Sequence, residues 1–222
     1  MSLQLARLLQ LVSPTLPVGA YTYSQGLEAA VEAGAVRDEA SAAAWIGTCL
    51  EYGVASGEAV YLAHMLRAWQ MPDTRALQTL NEAFLASRES AELYAETVQM
   101  GYSLMRLLSD LPGAPGQALA DFDPVSLPLA WSCAATAWEI AEESAVMGYL
   151  WTWLENQVMA AVKLIPLGQT AGQRLLVELG ARLPQLAHTA RSSPLEAASN
   201  WLPGLAIASS RHETQYTRLF RS

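Results

Sequence analysis

The chain has 222 residues, enough for one domain with a sizeable core, and only 15 % of them are charged, against about 25 % in an ordinary globular protein. Its net charge is −8 and Lys163 is its only lysine, so nucleic-acid phosphates and anionic membrane surfaces would both repel it. With so few charges, much of the helix surface must face other helices or another protein. Composition therefore gives a first indication of an adaptor.

Targeting signals and cysteine chemistry are also not expected. Residues Met1 to Val12 resemble a short amphipathic helix rather than a signal peptide, and the apolar stretch around Ser144 to Leu154 is too short to span a bilayer. Cys49 and Cys133 lie far apart among small and apolar residues, which favours two buried, reduced thiols over a disulfide. We expect a cytoplasmic protein.

Helix signals dominate the N-terminal half. Asp38 can cap a helix that runs to Leu50, and Asp73 can cap a second. A third helix is predicted from about Leu93 to Asp110. Between the first two, glycines at positions 53 and 57 indicate either a bend or the close approach of another helix.

The C-terminal half follows a proline-rich segment, residues 111–128, which holds four prolines and two glycines and is predicted to be a surface loop. Helices are then predicted over 129–143 and 144–164, the latter stopped by Pro166. A further helix begins near Gly168 or Gln169, and a last one lies around 194–210. The prediction is an all-α, compact single-domain bundle of about eight to ten helices, residues 1–210, followed by a tail, Arg211–Ser222.

No catalytic, cofactor-binding or metal-binding site is predicted. A P-loop needs lysine directly after glycine, whereas Lys163 follows Val162. His212 and Glu213 begin an HExx pattern, but Tyr216 occupies the position of the second histidine. We therefore expect a protein that is not an enzyme, although a metal site shared across a dimer axis stays open.

Three segments stand out as candidate binding elements, and the first is the early segment, Ser13–Glu28. Two prolines stiffen it, Gly19 permits unusual backbone angles, and Ser24 can cap a helix that has Glu28 in its first turn. A rigid loop with Tyr21 and Tyr23 packed on the bundle and an interface are both consistent with this pattern.

The second is the lysine segment, Val158–Thr170. Thr152, Asn156 and Lys163 fall on one narrow stripe of an otherwise apolar helix. Lys163 either reaches the surface at the helix end and complements the helix dipole, or is a charge at a protein–protein interface.

The third is the C-terminus, Ser209–Ser222, which is basic on an acidic protein and ends in large apolar side chains. Such residues usually pack against something, either the protein's own body or a partner. We expect the removal of the tail to expose little core. Its candidate partner-binding residues are Arg211, His212, Glu213, Tyr216, Arg218, Leu219 and Phe220.

The three segments, in this order, resemble the family of urease accessory protein F, UreF. The likeness lies in Leu16–Glu28, in the AVKLIPLGQ stretch and in the ending HETQYTRLFRS. The resemblance implies an all-α homodimer that bridges accessory protein D, also called H, and the GTPase accessory protein G. The resemblance also implies that the complex docks on apo-urease and couples GTP hydrolysis to nickel delivery.

By resemblance, the tail meets protein D, while Lys163 and the stretch from Tyr21 to Glu28 meet the GTPase or relay metal. Two alternatives remain. The chain could be a GTPase-activating protein with an arginine finger, although Arg211 and Arg218 both lie in the tail that is assigned to protein D. It could also be a metallochaperone that carries nickel directly.

Overall fold

The computed structural model describes residues 2–71 and 74–222, and every regular element in those ranges is helical. The α-helices are α1 (Ser2–Leu11), α2 (Leu27–Glu32), α3 (Glu39–Cys49), α4 (Ala59–Ala68), α5 (Thr74–Ala86), α6 (Ala91–Asp110), α7 (Leu127–Ala137), α8 (Glu142–Leu164), α9 (Gln169–Gly180), α10 (Leu183–Ser192) and α11 (Pro203–His212). A π-helical segment, Leu50–Glu58, joins α3 to α4. If α3, the π-helical segment and α4 are counted as one continuous helix, the described part of the chain has ten helices. The predicted all-α bundle is confirmed.

Helix boundaries follow local chemistry. The Asp38 carboxylate accepts the Ser41 N–H at 2.8 Å while the Ser41 hydroxyl accepts the Asp38 N–H at 3.1 Å, so α3 begins at a capping box. The Ser90 hydroxyl caps α6 by accepting the Leu93 N–H at 3.1 Å. The helix α8 ends before Pro166, as predicted. The predicted cap at Asp73 lies outside the described residues.

The glycines at positions 53 and 57 are sites of close approach. A β-carbon added at Gly53 would lie 2.8 Å from Leu202 Cδ1, and one added at Gly57 would lie 3.2 Å from the Ser199 carbonyl oxygen. The chain between α10 and α11 therefore packs directly on the π-helical segment. Three details differ from the predictions. The helix predicted over 129–143 ends at Ala137, α10 was not foreseen, and α11 begins at Pro203 rather than near Pro194.

The core surrounds α8, which packs against α4, α7, α9 and α10. Trp131 of α7 is buried and meets the Tyr149 ring edge-on, with ring centroids 5.3 Å apart. The segment 111–128 is only partly at the surface, because Leu119, Phe122 and Val125 belong to the core. In the described ranges, the helices are too short or too polar to cross a membrane.

Candidate functional site

The tail packs on the early segment. The Arg221 N–H donates to the Thr22 carbonyl oxygen at 2.8 Å, and the Ser24 N–H donates to the Ser222 main-chain oxygen at 2.7 Å. The Ser24 hydroxyl donates to that same oxygen. The sequence left open whether the tail packs on the protein itself or on a partner. In the structure it packs on the protein itself.

The carboxylate of Glu28 binds the main chain of the tail. This buried carboxylate on α2 accepts the Leu219 N–H at 2.7 Å on one oxygen and the Phe220 N–H at 2.9 Å on the other. Ser24 is not the N-cap residue of α2, because the helix begins after Gly26, two residues further on. The Ser24 hydroxyl instead accepts the Glu28 N–H at 3.3 Å, which ties the early segment to the start of α2.

His212 bridges two carboxylates. Its Nε2 lies 3.1 Å from Glu28 Oε2 and its Nδ1 lies 2.8 Å from Glu92 Oε2, and the ring is fully buried. The second Glu92 oxygen accepts from Arg218 Nη1 at 2.8 Å. Both ring nitrogens are thus occupied, so the HExx pattern marks a structural contact of the tail. Within residues 2–71 and 74–222, no group of three His, Cys, Asp or Glu side chains is placed to hold a metal ion.

Phe220 joins the tail to the lysine segment. Its ring is 5 % exposed and belongs to the core, so the expectation that the tail's removal exposes little core needs correction. Lys163 Nζ lies 5.5 Å from the centroid of that ring, within the range of a cation–π contact. Lys163 is exposed in the last turn of α8, where a positive charge also complements the helix dipole. Further along the predicted stripe, Asn156 donates to the Tyr23 carbonyl oxygen at 3.0 Å.

The three segments that the sequence singled out therefore contact one another, and their side chains divide into two groups. The inward group is buried and consists of Tyr23, Ser24, Glu28, His212 and Phe220. The outward group is exposed and consists of Tyr21, Lys163, Arg211, Glu213, Tyr216, Arg218 and Leu219. Partner binding by this second group stays a prediction.

Sequence reasoning missed three residues of this site, namely Gln25, Glu92 and Glu96. Gln25 has a positive φ of 51°, an uncommon conformation for a residue other than glycine. Its amide oxygen accepts from Trp153 Nε1 at 2.6 Å and its amide nitrogen donates to Glu96 Oε1 at 2.8 Å. One signal could have found the two glutamates, because they lie four residues apart on one face of α6 and oppose the basic tail.

A partly open cavity of ≈ 290 Å³ lies beneath the early segment, between α6, α7 and α8. Its walls are mostly apolar, and its polar lining includes Glu58, Arg88 and Glu96. Glu58 accepts from Arg88 Nη1 at 2.6 Å and from the Tyr149 hydroxyl at 2.7 Å, which compensates for the burial of both charges. The Nε of Arg88 is buried without a hydrogen-bond partner.

Comparison with known proteins now adds to this geometry. The family model of UreF matches residues 36–180. The chain belongs to the UreF family.

Three relatives extend the likeness to nearly the whole chain. The urease accessory protein UreF of Azoarcus sp. (strain BH72) is 61 % identical and covers 99 % of this chain and 96 % of its own length. UreF of Dechloromonas aromatica (strain RCB) is 57 % identical over 99 % of this chain and 98 % of its own. UreF of Janthinobacterium sp. (strain Marseille) is 49 % identical over 98 % of both. The resemblance read from the three segments is confirmed.

Proposed function

We propose that the chain is a urease accessory protein that acts as an adaptor, or chaperone, in the incorporation of nickel into the urease active site. Membership of the UreF family, and relatives that are urease accessory proteins, support a role in urease maturation. The finer proposal is that the chain bridges accessory protein D/H and the GTPase accessory protein G. On apo-urease, this assembly would modulate GTP-dependent nickel delivery.

The observation that carries the proposal is the contact of the three segments. The tail is hydrogen-bonded to the early segment, and Phe220 packs against Lys163 of the lysine segment. A partner bound to the outward face of the tail would therefore alter the environment of Lys163 and of the early segment. This arrangement is suited to a protein that couples two partners.

The outward face of the tail has the composition of a binding surface. Tyr216 is fully exposed, the Leu219 side chain is 65 % exposed, and arginines lie beside them. Tyrosine and arginine are over-represented among residues that dominate binding energy. The inward residues hold the tail, so this face is presented in a defined conformation, which lowers the entropic cost of binding.

The test is a binding measurement with a double variant, Tyr216→Ala with Leu219→Ala. We expect affinity for accessory protein D/H to fall at least about tenfold, as for the loss of one strong contact residue, while circular dichroism is unchanged. Val177→Ala, an exposed apolar residue on α9, is the matched control and should bind normally. Wild-type affinity of the double variant would contradict the assignment of the tail to protein D/H.

The proposed assembly is built on a homodimer. Leu3, Leu5 and Leu9 of α1 are all more than half exposed, although a helix that is apolar on several sides usually has a neighbour on each. Together with the low charge content, these side chains support self-association through a surface that a monomer would leave in water.

A further inference from the structure

One carboxyl group joins the early segment to the tail. Glu96 of α6 is 6 % exposed, and its two oxygens accept hydrogen bonds from different segments. Gln25 Nε2 donates to Oε1 at 2.8 Å, and the Ser222 hydroxyl donates to Oε2 at 2.8 Å. The early segment and the tail are therefore both hydrogen-bonded to the same side chain.

The surroundings of Glu96 disfavour its charge. Burial raises the pKa of this carboxyl to about 7; the hydrogen bonds from Gln25 and Ser222 oppose the rise, the nearby Glu58 carboxylate adds to it, and Arg88 opposes it. Desolvation is the largest of these effects because the carboxyl is 6 % exposed and the tail covers it.

Two further titratable groups face Glu96. Burial, above all, raises the pKa of Tyr149 on α8 and that of Tyr23 in the early segment, and the charge of Glu96 adds to both shifts. Neither tyrosine is ionised near neutral pH, so proton exchange at this position falls to Glu96. His212 also holds the tail, but its ring contacts the carboxylates of Glu28 and Glu92 rather than that of Glu96.

We propose that Glu96 is a positioning residue for the surface formed by the early segment and the tail, and that the tail docks more tightly when Glu96 is protonated. Release of the tail would let water reach the carboxyl and return its proton affinity to the ordinary range. Docking therefore takes up a proton. The inference concerns the chain alone and holds whether or not the proposed partners are correct.

The sign of the effect follows from linkage. A carboxyl whose pKa is higher in the docked state contributes fully to docking below its ordinary value of 4.5, and the contribution is lost as the pH rises toward about 7. Between pH 4.5 and about 7, the equilibrium constant for docking falls by at most about tenfold per pH unit, because one proton is involved. Above this range the equilibrium constant no longer depends on the protonation of Glu96.

Hydrogen exchange of the full-length chain between pH 5 and pH 8 tests this. The reporters are the amides of Leu219, Phe220 and Arg221, which donate to Glu28 and to Thr22. After correction for intrinsic exchange, we expect protection of the tail to fall at least about tenfold from pH 5 to pH 7 and then to level off. The decline should be absent from Glu96→Gln, because glutamine resembles the protonated carboxyl in shape and does not titrate.

The matched control is Glu155→Gln. Burial also raises the pKa of Glu155, which lines the same cavity, but the hydrogen bonds that hold the tail come from other residues, so its profile should match that of the wild type. A flat wild-type profile, or the same decline in Glu96→Gln, would overturn the proposal.

If Glu96→Gln does not fold, carbon-13 NMR of the Glu96 carboxyl in the wild type decides the question. A titration midpoint near 7 supports the proposal, and a midpoint below about 5.5 overturns it, because the docked and released states would then bind the proton almost equally. Loss of partner binding in the Tyr216 and Leu219 variant bears on the proposed function alone, so the two failures are distinguishable.

Discussion

Replacement of Phe220 by alanine tests how strongly the tail is bound to the bundle. The ring is 5 % exposed, contacts the core and lies under Lys163. A buried Phe→Ala change typically costs about 3–5 kcal/mol, from lost burial and the cavity left behind. The adjacent Leu219, whose side chain is 65 % exposed, provides a matched control, since surface changes usually stay within about 0.5 kcal/mol.

Detachment of the tail from a bundle that stays folded would limit the loss of stability that global unfolding reports. If docking of the tail contributes less than about 3 kcal/mol, the variant loses only that docking free energy, because the bundle would then stay folded with its tail detached. Urea denaturation therefore needs a second, local readout, namely tryptic cleavage after Arg218. We expect Phe220→Ala to lower the free energy of unfolding by at least about 1 kcal/mol and to accelerate this cleavage. Unchanged stability together with wild-type cleavage would refute the assignment of Phe220 to the core.

Three further predictions concern function. Lys163→Ala should leave circular dichroism unchanged and cost at most about 1 kcal/mol of stability, while urease activation under limiting nickel falls several-fold. Normal activation would show that Lys163 serves only as a charge at the helix end. Light scattering at micromolar concentration should give the mass of a dimer, with an apolar interface well over about 1,000 Å², and a monomer mass would remove this claim. The isolated protein should hydrolyse no GTP and bind no nickel tightly, and submicromolar, stoichiometric nickel binding by calorimetry would point to a site shared across the dimer axis.

The inward and outward division of the tail changes how deletion experiments should be interpreted. Removal of Arg211–Ser222 takes away His212, Phe220 and Ser222, all of which are buried. Lost binding in such a truncation would therefore mix lost contacts with exposure of core and of the Glu28 carboxylate. Substitutions on the outward face separate the two effects because the buried residues stay in place.

Several features of the protein follow from sequence alone. The capping box at Asp38 and the stop before Pro166 are local, since a few neighbouring residues decide whether backbone N–H and carbonyl groups can pair within a helix. The apolar composition and the absence of alternating patterns were enough for the all-α class. The three segments were identified by residue types that are unusual for their context, such as Phe220 beside the end of the sequence.

Tertiary structure decided which sides of those segments face inward. Glu28 and His212 are separated by more than 180 residues along the chain and yet lie 3.1 Å apart, and the pairing depends on how α2, α6 and α11 pack together. Local patterns do not encode such distances. The four-residue spacing of Glu92 and Glu96 could have pointed to this pair, but only the packed tail shows that Glu96 is buried and that its pKa is raised.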